Sequence, residues 1–473
     1  MRVLLVQPNQ EQGMGLQHLD RVEPLGLEMI AGGLQDRHEV AILDMRVEQD
    51  SLASTLADFQ PQVVGVSSTF TVGIYQALNV AEVTKATCPR AFVVMGGHHP
   101  SLYPMDFRNP AVDAIVVGEG EITTQELVDC LAVGDDPARV PGLVLNLPQG
   151  QQLTGQRSLL QNLDNLPHPS RSLTHHLRQH YHLFLRYPVA AVETTRGCPY
   201  RCSFCAVWRF YQEQVRFKSP QRVYEELEAI EEPSVLFTDD NFLANTKRAE
   251  EIARLIQMGG IRKSYYMQAR SDAIVRHPEV IASWREVGLD GVFIGFEKPN
   301  QNGLDMLNKH NSVENNEQAL EILRQQGIEP NTSFIISPDD SHDDFASLRS
   351  YMRHLNLKVP LFAILTPLPG TALFDEVKER ITTNDYQLFD LLHAVLPTRL
   401  PLTEFYQEFV SLYQKAYPLW KRNLVKFYIF LRSLWTRSSE QFFWQEMLAE
   451  ISNLMNVQAY LAQLNLHSET QGK

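Results

Sequence analysis

The chain of 473 residues has few cysteines and no long apolar run. Its five cysteines suggest no disulfide framework, and Cys88 and Cys130 are expected to be small core residues. No run of about eighteen uncharged apolar residues occurs, so no membrane-spanning helix is predicted. The start, Met1–Pro8, lacks the longer apolar stretch and the cleavage site of a signal peptide. These absences favour the reducing cytoplasm.

Positive charge is also in the minority. The chain has 42 basic and 56 acidic residues, and its formal net charge is −14. A nucleic-acid-binding surface usually carries a basic excess, so we expect no nucleic-acid partner. The composition instead directs attention to small-molecule chemistry, for which the remaining cysteines are the strongest signal.

Three cysteines lie close together in the sequence. Cys198, Cys202 and Cys205 have the spacing C-x3-C-x2-C in the run Arg196–Cys205. Three thiolates at this spacing can bind three irons of a four-iron cluster and leave the fourth iron open. Zinc is the alternative, but structural zinc sites have four protein ligands. The fourth would have to come from upstream histidines without a usual zinc-finger spacing: His168, His175 and His176.

This run resembles the signature of the radical S-adenosylmethionine (SAM) superfamily. The family has an aromatic residue before the third cysteine, as Phe204 is here, and Arg196–Gly197 also matches. The resemblance implies that the amino and carboxylate groups of SAM bind the open iron. An electron from the cluster, supplied by a donor such as flavodoxin or ferredoxin, then cleaves SAM to methionine and a 5′-deoxyadenosyl radical.

Strand and helix patterns alternate over residues 1–140. Apolar strands are predicted at Val3–Val6, Val40–Leu43, Val63–Ser67, Phe92–Met95 and Ala114–Val117. Helical patterns follow at Gly26–Leu34, Leu52–Phe59, Ile74–Thr84 and Thr123–Ala132. Continuous apolar strands separated by helices predict an α/β domain with a doubly wound parallel sheet.

Glycines and small polar residues follow three successive strands of this sheet. They are Ser67, Ser68 and Thr69, then Gly96, Gly97, His98 and Ser101, then Gly118 and Glu119. Ligands of such sheets bind beyond the strand carboxyl ends, where glycines allow a close approach to the backbone. Ordinary turn chemistry is the alternative for each loop alone. Three such loops together favour a ligand site.

The segment resembles the cobalamin-binding domain that precedes many radical SAM domains. Pro24–Leu27 and the loop Gly96–Ser101 carry the resemblance, which implies that the strand-end residues above bind cobalamin. The D-x-H-x-x-G motif, which supplies a histidine to cobalt in the wider family, is absent. His98 and His99 are therefore not expected to bind cobalt. A cobalt without a protein imidazole below it is suited to giving up a methyl group.

Residues 141–180 are predicted to form a hairpin, Gly142–Leu147 with Gln151–Leu153, and an extended linker, Leu163–Ser170. Residues 181–375 then resume the strand–helix alternation. Strands are predicted at Val189–Thr195, Val235–Thr238, Tyr265–Gln268, Val292–Phe296, Thr332–Ile336 and Phe362–Leu365. Six such units predict a partial (β/α)6 barrel with its site at the strand carboxyl ends.

Polar residues recur at those strand ends: Asp239, Asp240, Asn241, Arg270 and Glu297. Helix capping is the alternative for the first three. By resemblance, the segment Asp239–Asn241 helps bind the SAM amino group, Arg270 the carboxylate and Glu297 the ribose. The usual family motif at the second strand is glycine-rich with a glutamate, whereas this chain has Thr-Asp-Asp-Asn. No residue is assigned a direct catalytic role.

Residues 376–473 are predicted to be a helical C-terminal domain with two local biases. Aromatic residues are dense: Trp420, Phe427, Tyr428, Phe430, Trp435, Phe442, Phe443 and Trp444. Basic residues occur without acids at Lys421, Arg422, Lys426, Arg432 and Arg437. One interpretation is an interfacial helix that contacts a membrane or an apolar substrate. The favoured one is a helical cap that packs its aromatics on the barrel.

The resemblance covers about residues 1–375 and implies a cobalamin-dependent radical SAM methylase (class B type) acting on an unactivated carbon. The alternatives are a non-methylating relative, such as a tetrapyrrole oxidative cyclase, and a non-catalytic cobalamin or cluster sensor. Among methylases the chain is similar to hopanoid C-3 methylase-like proteins, on Leu365–Thr371, Leu396–Leu402 and Phe405–Tyr406. This implies a polycyclic lipid substrate and peripheral contact with the inner membrane.

Overall fold

Apolar, β-branched segments form the strands of the N-terminal sheet. The structure, a computed structural model, describes residues 1–9, 20–48, 51–433 and 452–470. The first strands are β1 (Arg2–Gln7), β2 (Asp20–Arg21), β3 (Glu39–Asp44), β4 (Val63–Ser67), β5 (Phe92–Gly96), β6 (Ala114–Val116), β7 (Leu143–Leu147) and β8 (Gly150–Leu153). Seven of them form one sheet in the order β3-β1-β4-β5-β6-β7-β8. The pairs from β3 to β6 are parallel, which confirms the predicted doubly wound sheet.

Helices cover both faces of this sheet because alternate residues of a strand point to opposite faces. The helices are α1 (Leu25–Leu34), α2 (Leu52–Phe59), α3 (Ile74–Thr87), α4 (His98–Leu102) and α5 (Gly120–Ala132). Val3 and Leu5 pack in one apolar layer with residues of α1 and α5, whereas Leu4 and Val6 pack with residues of α2 and α3. The parallel strands are therefore buried on both sides.

The predicted hairpin and linker both pack onto this first domain. β7 pairs antiparallel with β6 and with β8, so the hairpin extends the edge of the first sheet. In the linker, Leu163 and Leu166 are buried beside Met29 of α1. Within the predicted extended linker, Leu163–Ser170, these leucines anchor a 3-10 turn at Leu163–Asn165, and a second 3-10 segment, Arg171–His180, follows the linker.

A second parallel sheet follows. Its part of the chain contains β9 (His182–Leu183), β10 (Val189–Val192), β11 (Thr195–Arg196), β12 (Arg216–Phe217), β13 (Ser234–Phe237), β14 (Ser264–Gln268), β15 (Leu289–Glu297), β16 (Asn331–Ile336) and β17 (Val359–Ile364). Six strands pair in parallel in the order β10-β13-β14-β15-β16-β17. This sequential, open order confirms the partial (β/α)6 barrel.

The helices of the barrel lie between these strands. They are α6 (Val207–Phe210), α7 (Pro220–Ala229), α8 (Thr246–Gly259), α9 (Ser271–Arg276), α10 (Pro278–Val287), α11 (Gln301–Met306), α12 (Val313–Gln325), α13 (His342–His354) and α14 (Ala372–Val377). The apolar faces of α7, α8, α9, α10, α12 and α13 join the barrel strands in the largest core of the described residues, which includes the buried Trp284 of α10. The helices therefore pack on the outer face of the barrel strands, and the carboxyl ends of the strands remain available to form a site.

The first barrel strand is shorter than the sequence predicts. The predicted Val189–Thr195 divides into β10 and β11, and β11 pairs antiparallel with β12 instead of continuing the sheet. The reason is the buried Asp239 carboxylate, which accepts hydrogen bonds from the Thr194 and Thr195 amides at 2.6 and 3.0 Å. These amides turn away from the ladder, so the chain bends directly before the cysteine run.

The C-terminal part caps one side of the barrel. Its described helices are α15 (Leu402–Ala416), α16 (Leu419–Ser433) and α17 (Val457–Thr470). Phe405 and Tyr413 of α15 and Tyr460 of α17 are buried in the barrel core. The Tyr413 hydroxyl donates a hydrogen bond to the Phe362 carbonyl at 2.7 Å, which ties α15 to β17.

The aromatic residues of α16 do not follow the favoured interpretation. Trp420 and Phe427 are 62% and 58% exposed, so the prediction that they pack on the barrel is wrong. The reason is that α15 and α17 already occupy that surface. The side chains of other residues in the prediction lie outside the described part: Tyr428, Phe430, Arg432, Trp435, Arg437, Phe442, Phe443 and Trp444. No described helix is long and apolar enough to cross a membrane.

A cavity between the two sheets as candidate cofactor site

The carboxyl ends of both sheets open into one cavity of about 1060 Å³. From the first sheet it is lined by predicted cofactor-binding residues: Ser67, Ser68, Thr69, Gly96, Gly97, His98, Gly118 and Glu119. From the second sheet it is lined by Glu193, Thr195, Arg196, Thr238 and Asp240. Two sets of strand ends that are far apart in the sequence therefore enclose the same space.

Ser101, the remaining predicted residue of the first sheet, lies outside this cavity. It lines a neighbouring cavity of about 460 Å³. Its hydroxyl donates a hydrogen bond to the Gly97 carbonyl at 2.6 Å and accepts one from the Gly118 amide at 3.0 Å. Ser101 therefore holds the two glycine loops together and does not face the larger space.

Two of the predicted glycines are required by the backbone. Gly97 has a φ of +124°, and a Cβ on it would lie 2.6 Å from the Ser68 carbonyl oxygen. Gly118 has a φ of +85°, and a Cβ on it would meet no atom within 4 Å because it would project into open space. The first glycine permits close packing of two loops, and the second leaves room that a ligand can fill.

Buried polar atoms without partners lie on the same wall. The Ser68 hydroxyl and both amide atoms of Gln76 are buried and make no hydrogen bond within the protein. Both residues line the cavity. Such atoms carry an energetic cost unless a ligand or water satisfies them, so this wall fits a ligand rich in amide groups. Gln76 was missed by the sequence analysis, because no pattern distinguishes it from a solvent-facing residue of a helix.

The two histidines of the loop have different surroundings. His99 is buried, and both of its ring nitrogens are occupied, by the Thr71 hydroxyl at 3.0 Å and by the Asp106 carboxylate at 2.9 Å. The His98 ring packs on Phe210 with 4.3 Å between the ring centroids. Burial, together with the charge of Arg196, lowers the pKa of His98 to about 4. His98 is therefore a neutral ring on the cavity wall.

A buried group of charges joins the two sheets; we call it the Arg196 cluster. It consists of Arg196, Arg216, Glu119, Glu121 and Glu193. The Arg196 guanidinium lies 2.7 Å from Glu119, 2.5 Å from Glu121 and 2.7 Å from Glu193. Arg216 donates to both carboxylate oxygens of Glu119 at 2.9 Å. The loop after β6 is thereby tied to the residue that precedes Gly197 and Cys198.

Ion pairs and burial have opposite effects on the pKa values of the carboxylates in the cluster, and the balance differs between Glu121 and Glu193. Burial opposes ionisation of Glu121, but the charge and hydrogen bond of Arg196 lower its pKa below the usual value. At Glu193 burial dominates and raises the pKa. The Glu119 carboxylate is occupied by two guanidinium groups, so this loop presents mainly its backbone to the cavity.

The three polar residues after β13 have separate positions. Asp239 is fully buried and holds the bend at Thr194, and Asn241 is also buried. Asp240 faces the enclosed cavity, where desolvation together with the charges of Asp239 and Glu193 raises its pKa to about 7. The capping alternative does not apply, because Asn241 makes no capping bond and Asn245 caps α8.

The cysteine run forms a loop between β11 and β12. The segment after α11 supports this loop: the Ser203 amide donates to the Leu307 carbonyl at 3.1 Å, and the Asn308 side chain donates to the Arg201 carbonyl at 2.6 Å. The sequence analysis missed this support, since Leu307 and Asn308 belong to no motif.

Burial raises the pKa of all three cysteine thiols, that of Cys205 to about 12. Nearby positive charge works in the opposite direction, from Arg270 at Cys198 and from Lys309 and Arg270 at Cys202. In the described ranges, no three His, Cys, Asp or Glu side chains converge on a point where they could bind one metal ion. A four-iron cluster does not require such convergence, because each of three thiolates binds a different iron. The positive charges of Arg270 and Lys309 favour an anionic group of this kind.

Arg270 and Glu297 do not line the cavity. They lie beside the cysteine loop. The Arg270 guanidinium lies 3.4 Å from the Tyr200 ring centroid and donates to the Lys309 carbonyl at 2.9 Å. Glu297, buried at the end of β15, pairs with the Lys309 ammonium at 2.5 Å. Lys309 thus joins the two predicted residues on one side of the loop, and their roles towards SAM remain predictions.

The turn after β17 contributes one side chain to the cavity, Leu368. Thr366, in the same turn, is buried and donates to the Ile364 carbonyl at 3.0 Å. In the structure it stabilises the turn.

Two protein families match the chain. The B12 binding domain matches residues 17–128, and the radical SAM superfamily matches residues 192–351. The hopanoid C-3 methylase of Methylococcus capsulatus is 34% identical over 404 residues, which are 84% of this chain and 77% of that protein. An uncharacterized methyltransferase of Pyrococcus horikoshii is 30% identical over 430 residues, 88% of this chain and 92% of that one.

A more distant relative matches in sequence, and solved structures match in fold. The anaerobic magnesium-protoporphyrin IX monomethyl ester cyclase of Rubrivivax gelatinosus is 25% identical over 434 residues, 88% of this chain and 77% of that protein. The radical SAM methyltransferase TsrM of Kitasatospora setae, solved with cobalamin and a [4Fe-4S] cluster, superposes with a TM-score of 0.66 at 19% identity over 80% of this chain and 78% of its own. OxsB with aqua-cobalamin superposes with a TM-score of 0.71 at 17% identity over 99% and 80%.

The similarities to the solved structures establish only the fold. The match to the hopanoid C-3 methylase is a match in sequence and extends over most of both chains. With both family matches on one chain, the protein belongs to the radical SAM methyltransferases that have a B12-binding domain and use cobalamin, a [4Fe-4S] cluster and SAM.

Proposed function

We propose that this methyltransferase acts on an unactivated carbon of a polycyclic lipid of the hopanoid type. One observation carries the proposal: the strand ends of the B12-binding domain and those of the radical SAM domain line the same cavity. Cofactors bound at these two sets of strand ends would face one space, as their action on one substrate carbon requires. The relative named hopanoid C-3 methylase supports the lipid class.

Three groups of residues would hold the cofactors. Cys198, Cys202 and Cys205 would bind the cluster. The first-sheet residues on the cavity wall would contact cobalamin, with Gln76 in addition to those predicted. Residues of the second sheet would contact SAM: Asp240, Arg270 and Glu297. When bound, the cluster and SAM supply a radical that removes a hydrogen atom from the substrate, and cobalamin supplies the methyl group.

Other predicted residues would support these contacts from behind. Ser101 holds the glycine loops, Glu119 anchors the loop after β6, and Asp239 sets the bend before the cysteines. Asn241 is buried with its side-chain oxygen unpartnered, so it would complete the group around the SAM ammonium. Positioning of this kind keeps reacting atoms within fractions of an ångström of productive geometry.

Apolar side chains complete the cavity wall. Met29, Ile30, Phe70, Phe210 and Leu368 line it together with the polar strand ends. Their role would be to exclude water from a reactive radical and to hold an apolar substrate. The proposal also includes a one-electron donor of the flavodoxin or ferredoxin type and peripheral contact with the inner membrane.

Cob(II)alamin bound to the intact protein is expected to show no nitrogen superhyperfine splitting from an imidazole in its electron paramagnetic resonance spectrum. Both nitrogens of His99 are already hydrogen-bonded, and His98 packs against Phe210. His98→Ala and His99→Ala should therefore leave the spectrum unchanged. A splitting that is lost in either variant would show that a histidine binds cobalt.

Deletion of the gene is expected to remove a methylated polycyclic lipid and to leave its homologue that is lighter by one CH₂. The measurement is comparative lipid profiling by mass spectrometry. Reintroduction of the wild-type chain should restore the methylated lipid, whereas the Cys202→Ala chain should not. An unchanged lipid profile would contradict the lipid substrate.

Two outcomes would point to the alternatives. Changed tetrapyrroles with unchanged lipids would favour a reaction like that of the cyclase relative, since it matches 88% of this chain. Failure of the purified protein to form 5′-deoxyadenosine from SAM and a reductant would favour a sensor.

A further inference from the structure

α16 presents an apolar face to solvent. Its four described large apolar side chains are more than half exposed: Leu419, Trp420, Leu424 and Phe427, at 67%, 62%, 59% and 58%. At 3.6 residues per turn they share an arc of about 140° on the helix, in which the exposed Asn423 is the one polar residue. Single exposed apolar residues are ordinary, but four on one helical face form a patch of the kind that marks an interaction surface.

Basic residues lie at both edges of this face. Helical geometry sets Lys421 next to Leu424 at one edge and Lys426 next to Leu419 at the other. Arg422 points away from the face and donates to the Met455 sulfur at 3.1 Å. From Phe409 to Ser439 the sequence has no acidic residue, although the whole chain has a net charge of −14. The segment is therefore complementary to an anionic surface.

A helix with this arrangement fits a bilayer surface better than a protein groove. An apolar arc with tryptophan, bordered by lysines, lies in the plane of a membrane interface with its apolar side chains among the acyl chains. The Lys421 ammonium lies 5.8 Å from the Trp420 ring centroid, so the positive charge directly borders the aromatic ring.

The same part of the chain reaches the cavity between the sheets. Arg422 of α16 contacts Met455, and the neighbouring Asn453 lines the cavity together with Ala459 and Gln463 of the α17 region. A lipid taken up beside α16 would therefore meet a wall of the cofactor cavity within the same C-terminal segment.

We infer that α16 docks the enzyme on an anionic phospholipid bilayer with Leu419, Trp420, Leu424 and Phe427 inserted and Lys421 and Lys426 at the headgroups. The inference deepens the lipid-substrate proposal. It rests on that proposal because an enzyme with a lipid substrate must obtain it from a bilayer. The docking itself is a physical property of the helix and is tested without turnover.

The test is flotation of the intact protein with vesicles of phosphatidylglycerol and phosphatidylcholine at low salt. We expect the protein to float with these vesicles, and to float less at high salt because the headgroup attraction is screened. Trp420→Glu with Phe427→Glu should abolish flotation. Lys421→Gln with Lys426→Gln should weaken vesicle binding by about fivefold for each charge removed.

The matched control is Met306→Glu, because Met306 is an exposed apolar residue on α11, outside this face. It should float like the wild type, and cobalamin binding by every variant should verify that it is folded. A folded wild type that stays at the bottom of the gradient while the anionic vesicles float at low salt would overturn the inference. So would a dimer in gel filtration that Trp420→Glu and Phe427→Glu dissociate, since a second copy would then cover the face.

The outcomes separate this inference from the proposed function. A protein that floats while the deletion strain keeps its lipid profile would leave docking intact and refute the substrate. A protein that does not float while the methylated lipid disappears on deletion would refute docking alone.

Discussion

Replacing any one of Cys198, Cys202 and Cys205 with alanine is expected to abolish reductive cleavage of SAM. Each thiolate would hold a different iron, so the loss of one leaves the cluster without a full set of protein ligands. The reconstituted wild type should contain about four irons and four sulfides per chain, and each variant fewer. Iron and sulfide analysis and the yield of 5′-deoxyadenosine measure the two effects.

The remaining cysteines are the matched controls. Cys88 is buried in the first domain, where its thiol lies 3.6 Å from the Leu56 carbonyl, and Cys130 is partly buried against the layer of α1 and α5. Both are remote from the cysteine loop in the fold, so Cys88→Ala and Cys130→Ala should retain SAM cleavage. Full cleavage by any variant of the three loop cysteines would refute the cluster assignment.

Arg196→Met is expected to destabilise the folded chain by about 3–5 kcal/mol, because it leaves buried carboxylates without their cation. Arg196 and Glu121 are 5% and 9% exposed, so water cannot replace the lost charge. The midpoint of denaturant unfolding measures the change. Arg254→Met is the control, since Arg254 pairs with Glu251 on the open surface of α8, and it should leave the midpoint unchanged.

The pH dependence of this variant tests the electrostatic cause. In the wild type the lowered pKa of Glu121 contributes stability at neutral pH that is lost as the pH falls through that pKa. Without Arg196, burial is opposed only by a backbone hydrogen bond and by the charge of Lys218, so the pKa of Glu121 should rise and its ionised form should become a cost as the pH rises. The stability deficit should therefore be larger at about pH 8 than at about pH 5. An equal deficit at both values would indicate lost packing instead. Glu121→Gln in the Arg196→Met chain should recover part of the loss.

The features predictable from the sequence are those with a local cause. Strands such as Val63–Ser67 are recognisable because continuous β-branched residues suit a sheet that is buried on both faces. Gly97 and Gly118 are recognisable because strand-end loops in such sheets bind ligands. The cysteine spacing is also a local feature, and it is sufficient to predict an iron–sulfur cluster.

The features that escaped prediction depend on contacts between distant residues. The end of β10 is set by Asp239, which is more than forty residues away in the sequence. The ion pairs of the Glu119 carboxylate with Arg196 and Arg216 join residues that are far apart in the sequence and were likewise not predictable. The exposure of Trp420 could not be predicted, because an aromatic stripe on a helix has the same pattern whether or not another helix already covers the surface.

The cavity between the sheets would also make the stability of the chain depend on the supply of its corrinoid cofactor. A ligand that binds only the folded protein adds RT ln(1 + [L]/Kd) to the free energy of unfolding, about 2.7 kcal/mol when its concentration is a hundred times Kd. Because strand ends of both sheets form the walls, a corrinoid bound there would stabilise the pairing of both domains. Cells starved of cobalt would then lose the folded protein itself, through unfolding and proteolysis, in addition to losing turnover.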